Sequence, residues 1–102
     1  MEAVLMDKSI VSMADPEILE ELGARLAALR KSVGLSQEEA AARAALDRST
    51  VSRAERGDNP TTLTVVRLLR VYRRLGALDA FIPEAEVSPM ELLRSRTQSP
   101  GG

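Results

Sequence analysis

Between Ser36 and Gly57 the chain has room for two short helices and almost nothing to turn between them. Ser36-Gln37-Glu38-Glu39 reads as a capping box, with serine at the cap and glutamate three residues on, each satisfying a free amide of the other. It opens an alanine-rich helix that ends near Ala45. Asp47 then reads as the cap of a helix from Arg48 to Arg56, which Gly57 ends. Helices of about nine or ten residues are marginal in water by themselves. Two in succession, both with start signals, must therefore be held by packing against longer neighbours.

The neighbours are legible. Asp15-Pro16-Glu17 is a helix start, with Asp15 as cap and proline in the first turn. Ile18, Leu22, Leu26, Leu29 and Val33 follow at steps of three and four, one apolar stripe that Gly34 stops. Beyond the Asp58–Thr62 loop, Val65, Leu68, Leu69, Val71, Tyr72 and Leu75 make another stripe, with Gly76 as its stop. Ala77 to Ile82 has room for one or two turns before Pro83. The expectation is an all-α, compact five-helix domain over residues 15–82, flanked by an N-terminal arm (1–14) and a largely flexible C-terminal extension (83–102). In the arm, Val4–Met6 and Ile10-Val11 suit a strand, a packed turn or a loose segment equally. Ser88 to Glu91 can cap a single turn through Leu93.

Composition removes several functional classes. Cysteine and histidine are both absent. That excludes a disulfide framework, a thiolate nucleophile and the commonest general base and metal ligand. No cofactor or metal is expected. Ser49 and Ser52 lack a base to make either a nucleophile, and Glu38 and Glu39 serve as surface and cap, so an enzyme is not expected. No apolar run is long enough for a membrane span, and the start lacks a basic lead into an apolar stretch; a cytoplasmic protein is the expectation. Net charge is −1, but it is unevenly placed. Residues 1–24 carry one lysine and six acids, whereas residues 25–56 carry seven basic and four acidic groups.

Two short helices in a tight pair, with a polar outer face on the second, fit a helix-turn-helix that sets its second helix in the major groove. Arg48, Ser49, Ser52, Arg53 and Arg56 are outward by this reading, and Val51 and Ala54 inward. Arginine can bond guanine in bidentate fashion, and serine serves several bases. The competing reading is a plain helical bundle whose basic face meets a protein. Arg67, Arg70, Arg73 and Arg74 read as the solvated face of an amphipathic helix, and Tyr72 and Phe81 as core.

The blocks LRKSVGLSQEEAA (Leu29–Ala41) and LDRSTVSRAERG (Leu46–Gly57), with their spacing and the helix ending at Leu75-Gly76, resemble the Cro/phage-repressor (XRE) helix-turn-helix family. The likeness runs from Leu22 to Leu75. It implies a lambda-repressor-like domain that binds double-stranded operator DNA, palindromic in form, as a homodimer. It also implies roles. Gln37 approaches a phosphate or outer base. Arg48, Ser49, Ser52 and Arg53 touch base edges. Arg56, Asn59 and Thr61 lie along the sugar-phosphate backbone, and Arg30 with Glu55 forms a structural ion pair.

Four positions depart from the family pattern. Ala45 stands where glycine is usual; a positive φ there would cost alanine roughly 1 kcal/mol, unless the turn shifts or the helix runs on. Ala40 replaces leucine and thins the core. Asp47 replaces serine or threonine, a good cap that repels phosphate. The loop from Gly57 to Val65 is longer by a residue or two. Residues 75–84 and 88–93 resemble small regulators of this family, some of which resemble HipB, the partner of a HipA-type kinase. The functional readings are thus an operator-binding repressor, a self-regulating antitoxin with a toxin partner, or a protein-only interaction module.

Overall fold

The computed structural model describes residues 9–86, 88–90, 93 and 94. Expectations placed on Val4–Met6 and on the tail from residue 95 onward fall outside them. Among the described residues a 3-10 turn at Ile10–Ser12 leads into five helices up to Phe81: α1 (Asp15–Ser32), α2 (Gln37–Ala44), α3 (Arg48–Glu55), α4 (Thr62–Val71) and α5 (Ala77–Phe81); Pro89, Met90, Leu93 and Arg94 are helical as well. The fold is all-α, with no strand among the described residues.

Each helix end has a local cause. The N-cap of α1 is Ala14, one residue before the expected Asp15; it has no side-chain acceptor, and Glu17 instead reaches back to its amide at 2.8 Å. At Ser36 the reciprocal bonds form as the motif requires: its hydroxyl accepts from the Glu39 amide at 3.0 Å, and Glu39 accepts from the Ser36 amide at 2.8 Å. Hydrogen bonding to the carboxylate, first from the Ser36 amide and then from its side chain, holds the Glu39 carboxyl below the usual carboxylate range. Ala45 is left-handed, φ 58° and ψ 44°, so the family's glycine position does demand a positive φ here, and the helix does not run on. The Leu46 amide donates to the Ala41 carbonyl at 2.9 Å across that turn.

Three expectations are corrected. The α4 helix ends at Val71, well before Gly76, because Arg73 adopts a left-handed φ of 60° and the Arg74 amide wraps back to the Leu69 carbonyl at 2.7 Å. Phe81 is not core: it is 56 % exposed, and Val33, at the end of the α1 stripe, is 43 % exposed. The actual core is Leu26, Leu35, Ala40, Ala41, Ala44, Val51, Ala54, Leu68, Leu69 and Tyr72. Four of its ten members are alanines, so helices approach closely rather than interdigitate long side chains. The closest approach is at Gly23 in α1. A Cβ there would lie 2.6 Å from the Glu55 carbonyl oxygen and 2.7 Å from that of Ala54. Gly57, at φ 82°, faces α1 as tightly from the other side: a Cβ there would lie 2.8 Å from the Glu20 nitrogen.

Tyr72 is the chain's sole tyrosine and is 1 % exposed, with no hydrogen-bond partner for its hydroxyl among the described residues. Burial pushes that hydroxyl up to about 12, and the neighbouring Glu55 charge adds to the shift. The raised value means that the fold favours the neutral phenol, so its contribution to stability is intact below pH 10.0 and is lost as pH climbs through about 12. An ultraviolet titration of the folded protein is expected to show no phenolate at the ordinary tyrosine pKa. Tyr72→Phe should keep its Tm further into alkali than the parent; identical alkaline melting curves would contradict this.

Candidate nucleic-acid interface

The α2–α3 pair is set by one buried polar cluster. The Arg30 Nε donates to Glu55 Oε2 at 2.7 Å and Nη2 to Oε1 at 3.0 Å, a bidentate pair between α1 and α3. Both side chains are nearly enclosed, 10 % and 7 % exposed. The remaining donor Nη1 bonds the Leu35 carbonyl at 2.9 Å. Bonding to Glu55 raises the Arg30 pKa, the burial acting against it. Gln37 joins the same carboxylate, its Nε2 donating to Glu55 Oε1 at 2.9 Å. Glu55 thereby receives three donors from two helices, which satisfies a buried anion that would otherwise be very costly.

This arrangement changes the place of Gln37. Its side chain is half-buried and tied inward, so it is an anchor between α2 and α3. By contrast, the outer face of α3 is largely uncommitted. Arg48, Ser49 and Arg53 are exposed and make no side-chain hydrogen bond or ion pair among the described residues, while Val51 and Ala54 are buried beneath them. The spacing of Ser49, Ser52, Arg53 and Arg56 puts all four on one stripe. Arg48 lies at the helix start, about 140° around the axis from Arg53. Ser52 is half-buried and accepts from Arg56 Nη1 at 2.8 Å. Arg56 also contacts Asp58 at 3.5 Å, an exposed pair of little energetic weight.

The following loop contributes less than the helix. Asn59 is exposed at a left-handed φ of 45°. The Thr61 hydroxyl is occupied in capping α4, accepting from the Thr64 amide at 3.1 Å and donating to the Thr64 hydroxyl at 3.1 Å.

Two features were not anticipated. Arg67 is not merely solvated: its Nη1 donates to the Ala45 carbonyl at 3.2 Å and braces the left-handed turn from α4. An i, i+3 pattern cannot signal a bond between residues 22 apart. Asp47 stands at the N-cap of α3 yet makes no capping hydrogen bond with its side chain, against the expectation that it caps.

Among the described residues no group of acidic residues is gathered as a metal site, and no helix is long and apolar enough to cross a membrane.

Two short helices tied through Gln37 and Glu55 to a buried ion pair with α1, the second with an uncommitted polar face, define a helix-turn-helix protein. A family model described as a helix-turn-helix domain matches residues 21–81, and the chain belongs to that family. Neither a curated protein nor a solved structure matches it.

Proposed function

We propose that this protein is a sequence-specific, non-enzymatic DNA-binding regulator of the Cro/phage-repressor kind, a repressor that acts in the cytoplasm and binds a palindromic operator as a homodimer. The observation that carries the reading is the outer face of α3: Arg48, Ser49 and Arg53 are held out on a rigid, buried-backed helix and are used by nothing in the fold. Arg48 and Arg53 read bases, with Ser49 beside Arg53. Ser52 orients Arg56, which meets phosphate together with Asn59. Gln37 and the Arg30–Glu55 pair fix the docking angle.

One short helix reads only a few base pairs, so a second copy is needed to reach a useful site length. An apolar groove of about 280 Å³, lined by Leu19, Leu22, Leu29, Val65, Leu78 and Phe81 among others, takes no residue from α2 or α3. A second copy seated there leaves both reading faces free. The alternative is an antitoxin of HipB type that regulates its own operon. It shares the DNA face and differs in covering that groove with a kinase-type toxin; a kinase-like protein co-purifying in place of self-association would favour it.

Selection from a randomised duplex library tests the proposal. The expected consensus is palindromic, with half-sites about one turn (~34 Å) apart. Arg53→Ala should change which single-base variants are tolerated, by ~1–3 kcal/mol at one position. Arg56→Ala should weaken all sequences alike and flatten the salt dependence. If Arg53→Ala lowers every affinity by one factor, Arg53 touches only phosphate, and a consensus without symmetry bound by a monomer would exclude the homodimer.

A further inference from the structure

Ser9, Ser36 and Thr61 are polar N-caps, and each uses its side chain for the purpose. They accept from an amide of the turn that they open, at 3.3, 3.0 and 3.1 Å. Asp47 is the exception. Its main-chain carbonyl accepts from the Thr50 and Val51 amides at 3.0 and 3.2 Å, as a cap's should, but its carboxylate is exposed and bonds nothing among the described residues. Nor does it pair with Arg48 beside it: no ion pair joins them among the described residues. A strong capping group has been left standing clear at the start of the helix proposed to enter the groove.

We propose that Asp47 is a specificity-determining residue whose carboxylate accepts a hydrogen bond from the N4 amine of a cytosine in the major groove. The inference rests on the DNA-reading role given above. An ionised carboxylate accepts and cannot donate. Guanine shows it two acceptors, thymine an acceptor and a methyl, and adenine a donor beside an acceptor; cytosine offers a donor alone. Phosphate repels it. Asp47 therefore favours cytosine most, since guanine, thymine and phosphate offer it no donor and adenine's donor stands beside a repelling acceptor, next to an Arg48 whose donors favour guanine.

The test uses the full chain and the preferred duplex from the randomised library, with its single-base variants, at fixed salt. The parent should demand cytosine at one position, losing roughly tenfold in affinity on exchange for any other base. Asp47→Ala should bind the four variants of that position alike. Asp47→Asn, which can both donate and accept, should move the preference toward adenine. N4-methylcytosine at that position should weaken the parent and leave Asp47→Ala unaffected. If Asp47→Ala instead raises affinity for every variant by one factor and keeps their ranking, the carboxylate only repels phosphate and the proposal fails. A parent that enriches no duplex at all would overturn the DNA-reading role itself, a result distinct from an unchanged ranking.

Discussion

Arg30→Ala is expected to lower the Tm far more than Lys31→Ala, its exposed neighbour in the same helix turn. Removing the guanidinium strands the Glu55 carboxylate, 7 % exposed in the parent, with Gln37 as its remaining side-chain donor, and frees the Leu35 carbonyl as well. Breaking a buried pair in this way costs on the order of 3–5 kcal/mol, much of what a domain of this size possesses. In melting temperature that is on the order of 15 °C or more, whereas Lys31→Ala should shift it little. Glu55→Ala should be as severe, since it strands Arg30. Replacing both by leucine removes the charges together and should recover much of the loss. Equal melting temperatures for Arg30→Ala and Lys31→Ala would show that the pair is not what joins α1 to α3.

Gly23→Ala should be the other severe substitution, although alanine is the better helix former. Propensity returns about 1 kcal/mol. Against it, the new methyl would sit 2.6 Å from one main-chain oxygen and 2.7 Å from another. Neither is the end of a flexible side chain, so α1 must move off α3. Overpacking of that kind costs about 1–3 kcal/mol and sometimes more, and here the movement also stretches the Arg30–Glu55 bonds. Thermal or denaturant unfolding would check it. A Gly23→Ala protein as stable as the parent would mean that α1 can shift without disturbing α3. Gly76→Ala, with open space around it, is the matched control.

The contrast between the two substitutions shows what was legible. The five helices follow from apolar periodicity and start signals, because those are local. The partners of Glu55 are not local: Arg30 lies 25 residues away, and only the likeness to a known family set the two side by side. Gly23 is a helix-interior glycine, a signal of close packing, yet which backbone it touches is a tertiary fact. The end of α4 was misread for a conformational reason. Glycine is the usual left-handed residue, and an arginine in that region leaves no mark in the sequence. Exposure at Val33 and Phe81 has another cause. A stripe says which way a residue faces and leaves open whether anything covers it. At the candidate site, residue type told which groups can bond DNA; the inward tie of Gln37 and the idle carboxylate of Asp47 depend on geometry alone.

The division of labour along α3 also bears on how such a protein can change. Val51, Ala54 and Glu55 are held by the core and the ion pair, while Arg48, Ser49 and Arg53 contribute nothing that the fold requires. The two sets alternate along a single helix of eight residues. Substitutions at the second set carry almost no folding penalty, so a lineage can drift through many combinations there without passing through an unfolded intermediate. On the proposed reading, the DNA address is written in residues the fold leaves free, and paralogues that share the scaffold can part company in target by a handful of single-codon steps.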